Sequence, residues 1–250
     1  MQRSDFRNLF KSEAPVVLPV IHVLDASQVE RNIEVLVSEG AQGCFLINHD
    51  FGIDQFIPIL EEIRPKFPSL WIGVNFLATT ALLAIPILED LKRRGFTFDG
   101  YWADDGCIDE TKGQSEQQIA QRIAALRQSS EWKGFYTGGV CFKKQRPVQS
   151  RFFESAARLA TGYMDAICTS GEGTGISPDI EKILDLRRGA GESALLVASG
   201  INPDNAVRYA PYVDGFMVAT GINIQDDFYN IDASKLKQLL AFCRHGVQQP

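Results

Sequence analysis

Short apolar, β-branched-rich runs alternate with stretches of helical periodicity from one end of the chain to the other. The runs occupy residues 16–23, 43–47, 70–76, 100–103, 134–142, 164–168, 194–198 and 215–219. Most are apolar at successive rather than alternate positions, the pattern of strands buried on both faces. Between them lie helix signals. Val29, Ile33, Leu36 and Val37 recur at helical spacing behind Ser27, with Gly40 as the stop. Phe56, Ile57, Leu60 and Ile63 follow Asp54 as a candidate N-cap, and Ser115 with Gln118 makes a capping box ahead of Ile119, Ile123 and Leu126. Ser177-Pro178 and Asn202-Pro203 each place a capping residue before Pro at a first helical position. Asp232 precedes Leu236, Leu239, Leu240 and Cys243 on one face. In 79–94, Pro86 predicts a kink or restart.

Eight such runs, each followed by a helix, predict a (β/α)8 barrel of a single domain, residues 1–250. The rival is a doubly wound open sheet, which normally has a Gly-rich turn after its first strand; here that strand leads into His22-Val23-Leu24-Asp25. A length of 250 residues alone also admits two small domains, but the eight units fill it. Residues 1–13, with apolar Phe6, Leu9 and Phe10, read as a short N-terminal helix capping the amino-terminal end of the barrel.

Charge narrows the partners. With 25 Lys+Arg against 31 Asp+Glu the net charge is −6, which opposes a nucleic-acid or anionic-membrane surface. No window approaches the length of a membrane-spanning helix, and the first ten residues lack the apolar core of a signal peptide. The five cysteines are widely spaced without a C-x-x-C pair, as expected of reduced, mostly buried thiols in a cytoplasmic protein.

In such barrels the working residues lie at the carboxyl ends of strands and in the loops that follow. Those positions hold His22 and Asp25; Asn48, His49 and Asp50; Asn75; Asp104 and Asp105; and Lys143-Lys144. The later ones are 169–175, Ser199-Gly200 and Thr220-Gly221. The loops after the seventh and eighth strands commonly hold phosphate, so Ser199, Gly200, Thr220 and Gly221 are the candidate phosphate site, with tight turns as the plain alternative. On that reading a bulky residue at Gly200 blocks the ligand and leaves the fold intact. The loop with Thr169, Gly171, Thr174 and Gly175 suits a lid or a hydroxyl clamp and has no P-loop lysine, so no nucleotide cofactor is expected. His22, Asp104 and Lys143 are the candidate acid/base groups, with Asn48, His49 and Asn75 orienting the ligand. Of Asp104 and Asp105 only one can point inward. Three convergent metal ligands are not evident, so no metal is expected. Arg146 and Arg151 read as solvated surface or further anion contacts. Phe51, Phe56 and Phe152-Phe153 read as packing residues or as contacts of a homo-oligomer.

The carboxyl half resembles the BtpA family, named for a factor in photosystem I accumulation. The resemblance rests on the stretch Thr169-Ser-Gly-Glu-Gly-Thr-Gly175, on Ser199-Gly-Ile-Asn-Pro-Asp-Asn205 and on Val213-Asp-Gly-Phe-Met-Val-Ala-Thr220. Ser199, Gly200, Asn205, Asp214, Gly215 and Thr220 match family positions; Ile21-His22, Gly73-Val-Asn75 and Lys143 are weaker echoes. The resemblance implies a ribulose-phosphate-binding-type barrel with a phosphate-like ligand. The sequence departs from the pattern at Val23-Leu24-Asp25, at Asn48-His49-Asp50 and at Lys144, where the family has a Pro-rich turn, Glu-Asn and His. Two functions stay open: an enzyme acting on a small phosphorylated metabolite, such as a sugar phosphate or nucleotide-like compound, and a non-catalytic ligand-binding or assembly factor. Convergence of His22, Asp104 and Lys143 beside the phosphate loops would favour the first.

Overall fold

The computed structural model describes residues 1–245. Among them, eight parallel strands close into a barrel in chain order. They are β1 (Val16–His22), β2 (Gly43–Ile47), β3 (Trp71–Asn75), β4 (Gly100–Ala103), β5 (Phe135–Gly139), β6 (Ala166–Ser170), β7 (Ala194–Ala198) and β8 (Gly215–Val218). Val16 of β1 pairs with Gly215 of β8, which closes the ring. The outer layer contains α2 (Ala26–Ser38), α3 (Ile53–Lys66), α4 (Ala81–Arg93), α5 (Gln118–Ser129), α6 (Phe153–Ala160), α7 (Ile180–Ala190), α8 (Ala206–Tyr209) and α9 (Ala233–His245), after an N-terminal α1 (Arg3–Leu9).

Alternation along each strand sorts the apolar residues into two cores. Val16, Leu18 and Val20 of β1 join Phe45, Trp102, Cys168, Leu196 and Met217 inside the barrel. Val17, Ile21, Leu46, Tyr101, Val197 and Phe216 pack outward under the helices. Both faces are therefore dry, which is why the strands read as continuous apolar runs. The floor is closed by α1, whose Phe6 meets Phe135 at 5.7 Å and is followed by Phe10, which meets Trp71 at 5.1 Å. Leu9, expected to join them, is exposed. Asp214 fastens this floor: it is buried and accepts from Arg3 Nε at 2.8 Å and from the Leu195 N–H at 3.0 Å, and Arg7 and Arg187 lie within 3.5 Å of it. Its place in the family pattern is thus a structural one, at the end of the barrel opposite the mouth.

Several local expectations shift. Asp25, not Ser27, caps α2, its carboxylate accepting from the Gln28 N–H at 2.7 Å. Gly52 precedes α3, so Asp54 lies in its first turn. The supposed capping box at Ser115 is a 3-10 turn, Gln114–Glu116, and α5 starts behind Gln117. The helices after Ser177-Pro178 and Asn202-Pro203 begin two and three residues later than Pro at the first position implied, behind Asp179 and Asn205. Pro86 neither breaks nor restarts α4, because it sits on the exposed face where water can take the carbonyl it frees. Asp232 caps α9 as expected, accepting from the N–H groups of Ser234 and Lys235. Phe56 is wholly buried and Phe51 packs on it at 6.2 Å, so this pair is core packing. Phe153 packs against the core as well.

Candidate functional site

The carboxyl ends of the strands surround a cavity of about 560 Å³, counted to the open solvent. His22, His49, Asp104, Lys143, Thr174, Gly175, Ser199 and Thr220 all line it. Its floor is apolar, made by Val20, Ile47, Trp102, Ala198 and Met217. The inward parity that puts Trp102 in the barrel core puts Asp104, two residues on, at the mouth. Asp105 points instead to a neighbouring hollow, where it accepts from the Cys107 N–H at 2.7 Å and from Gln145 at 2.5 Å.

Lys143 leaves β5 on a short turn held by the Ser170 hydroxyl, which accepts its N–H at 2.9 Å. Its ammonium donates to Ser199 Oγ at 2.6 Å and to Thr174 Oγ1 at 3.2 Å. Burial, with Lys144 next to it, lowers the pKa of this ammonium. Asp104 is buried and oriented twice, accepting from Asn75 Nδ2 and from the Ala78 N–H, each at 3.2 Å. His22 stacks on Phe228, with centroids 3.8 Å and planes 22° apart, and meets His49 edge-on at 5.7 Å. Burial, reinforced by His49, lowers the His22 pKa to about 4, so the imidazole is neutral at physiological pH. Its Nδ1 and the Trp102 Nε1 are buried without a hydrogen-bond partner.

The glycine loops are fixed by contacts with one another. A Cβ on Gly171 would lie 2.2 Å from the Ile176 carbonyl oxygen, and one on Gly200 2.0 Å from the Ser177 nitrogen. One on Gly221 would lie 1.9 Å from the Ile201 oxygen. Ser199 and Gly200 both have positive φ, +73° and +68°. Asn205 pins this turn, donating to the Gly200 oxygen at 2.7 Å and accepting from the Asn202 N–H at 3.0 Å. Gly200 is therefore required by the packing of the loops after β6 and β7, so a bulky residue there would disturb the structure, contrary to the sequence expectation. The three loops form one stacked unit whose rim is Thr174, Gly175, Ser199 and Thr220. Among the described residues, no protein acceptor faces the backbone N–H groups of Ser199, Gly200, Thr220 or Gly221.

Six expected ligand residues do not line the cavity: Gly171, Gly200 and Gly221 lie within the stacked loops, and Asn48, Asn75 and Thr169 are engaged elsewhere. Asn48 spends its amide on the Phe51 oxygen at 2.7 Å and the Leu77 N–H at 3.0 Å. Asn75 is wholly buried and serves to orient Asp104. Thr169 shares the outward parity of Ile167 and donates to the Cys141 oxygen at 3.5 Å. Arg146 turns away to the buried Glu110, at 2.8 Å, and Arg151 lies over Phe152 at 4.8 Å. Among the described residues, no group of three His, Cys, Asp or Glu side chains is placed to hold a metal ion. No helix among them is long and apolar enough to cross a membrane.

Sequence reasoning missed Trp102 and Phe228. Trp102 was within reach, since it shares parity with Asp104 on the same strand. Phe228 was not, because only the long loop between β8 and α9 carries it back over the barrel. There Tyr229 donates from its hydroxyl to Asp50 at 2.7 Å, and its carbonyl accepts from Gln28 at 2.7 Å and Asn32 at 3.0 Å.

Comparison with known proteins places this geometry in context. The model of the BtpA family matches residues 68–245. The uncharacterized protein PH1209 of Pyrococcus horikoshii is 25% identical over 208 residues, covering 78% of this chain and 74% of that protein. Among solved structures, the tryptophan synthase alpha chain of Legionella pneumophila superposes with a TM-score of 0.65 at 15% identity, covering 100% of both chains. The phosphoribosyl anthranilate isomerase of Thermus thermophilus does so with a TM-score of 0.60 at 13% identity, covering 90% of this chain and 96% of that one. At these identities the likeness is one of fold.

Proposed function

The chain belongs to the BtpA family, and from that premise we propose that it is an enzyme binding a small phosphorylated metabolite at the mouth of the barrel and acting on it by acid/base chemistry. The observation that carries this reading is the meeting of Lys143 with Ser199, at 2.6 Å, in the same cavity as His22 and Asp104. The lysine supplies a point charge, and the N–H groups and hydroxyls of Ser199 and Thr220, held in place by Gly200 and Gly221, supply directed donors to an anion's oxygens. An acidic chain can hold phosphate in this way because backbone dipoles, not a basic face, do most of the binding. The isomerase of similar fold is named for a phosphoribosyl compound, which accords with this reading.

The acid/base part follows from contrast. Neutral His22 is unprotonated near neutrality and can accept a proton there, and Asp104, held by two donors, presents its carboxyl group to the same space. Phe228 over His22 keeps water from the imidazole. A binding module would need the rim but not this second, oriented set, and the convergence of the two favours catalysis.

Calorimetric titration with inorganic phosphate tests the site. Lys143→Met and Ser199→Ala should each weaken binding, the lysine change by roughly tenfold to a hundredfold, with no loss of thermal stability. Unchanged affinity in Lys143→Met would overturn the assignment.

A further inference from the structure

The anion site occupies only one wall of the cavity, and the remainder has a chemistry of its own. Below the rim the surface is Val20, Ile47, Leu77, Trp102, Ala198 and Met217. A polyhydroxylated group placed on this floor would set its hydroxyls against carbon, because the polar groups of the cavity, His22, His49, Asp104 and Lys143 among them, stand above it at the strand ends, and three further polar side chains expected there are engaged elsewhere. Asn48 is tied to backbone, Asn75 to Asp104, and Thr169 faces the helices. A buried hydroxyl that exchanges water for no partner disfavours binding.

Two residues that line this cavity each hold a buried polar atom without a partner: the Trp102 Nε1–H, which can only donate, and the His22 Nδ1. Trp102 is 5% exposed. A buried donor without an acceptor is uncommon in a folded protein, and one in the wall of a ligand cavity points to an acceptor on the ligand. The aromatic surroundings, Phe228 stacked on His22 with Trp102 at the floor, offer flat faces and ring edges.

We infer that the part of the ligand entering the barrel is a planar, unsaturated group carrying a hydrogen-bond acceptor, so that the compound is an aryl or heteroaryl phosphate ester and not a polyhydroxylated sugar phosphate. This rests on the anion site proposed above. The acceptor lies against Trp102 Nε1–H, the ring over the apolar floor, and the phosphate at the Lys143–Ser199 rim.

The full chain is titrated calorimetrically with phenyl phosphate, ribose 5-phosphate, inorganic phosphate and phenol. Phenyl phosphate should bind at least about tenfold more tightly than ribose 5-phosphate, since only its ring gains from the apolar floor. Ribose 5-phosphate binding equally well or better would overturn the inference while leaving the anion site standing. Phenol binding with nothing gained from the phosphate would uphold the planar pocket and sink the anion site, and binding of none of the four would sink both. The Trp102 indole N–H resonance, assigned by its loss in Trp102→Phe, should move downfield with 4-acetylphenyl phosphate and less with phenyl phosphate. An unmoved resonance in the bound state would overturn the placement of the acceptor.

Discussion

The imidazole of His22 and the phenyl ring of Phe228 lie face to face, 3.8 Å apart at their centroids, although 205 residues separate them in the chain. One belongs to the end of β1, the other to the loop that follows β8, and barrel closure makes those two strands neighbours. The stack governs the charge state of the histidine, because the ring excludes the water that an imidazolium would need.

Phe228→Ala should therefore raise the His22 pKa from about 4 toward the ordinary histidine value of 6.5. NMR titration of the imidazole carbon-bound protons measures this directly. A value that stays near 4 would mean that the strand ends alone desolvate the ring.

The same shift makes stability depend on pH. In the unfolded chain His22 takes up a proton near pH 6.5, and in the folded protein only near 4. Between these values the unfolded state binds more protons, so stability is full above about pH 6.5 and falls as pH drops toward 4. The loss attributable to His22 is about 3 kcal/mol. Urea unfolding across this range, compared with His22→Gln, should show the wild-type slope flattened in the variant.

Gly200→Ala should destabilise the protein by about 1–3 kcal/mol, because φ is +68° and the new methyl would lie 2.0 Å from the Ser177 nitrogen. Asn205→Ala, which frees the same turn without a clash, should weaken phosphate binding with a smaller effect on thermal unfolding. Equal effects of the two variants on both measurements would argue against a positioning role for Asn205.

Asp214→Asn should cost about 3–5 kcal/mol, since it leaves the guanidinium groups of Arg3, Arg7 and Arg187 around a buried neutral amide. Proteolysis should then cut first near α1, whose Arg3 and Arg7 lose their anchor. Cleavage at the mouth loops first would contradict the assignment of Asp214 to the floor.

Periodicity was sufficient for the architecture. Successive apolar residues in eight runs can be buried on both faces only by a sheet with helices outside it, and 250 residues leave room for one such barrel. Strand-end position then located His22, Asp104, Lys143 and Ser199; alternation carries the inward parity of β1 and β4 to His22 and Asp104, whereas Ser199 has the outward parity of Val197 and enters the cavity on a turn with φ +73°. The N-cap positions at Ser27, Asp54 and Ser115 were displaced because several polar residues near each helix start could cap it, and backbone geometry chose among them.

What the sequence by itself determined is the set of residues that period and parity govern: the barrel, its two apolar cores and the mouth-facing strand ends. What only the tertiary structure decided is how residues distant in the chain divide their hydrogen bonds and space. It turned Asn48, Asn75 and Thr169 from ligand contacts into supports and gave Gly200 and Gly221 their partners in neighbouring loops. It also brought Phe228 across the mouth onto His22. Those outcomes depend on which donor meets which acceptor first across loops of irregular path, and irregular backbone has no period from which to read them.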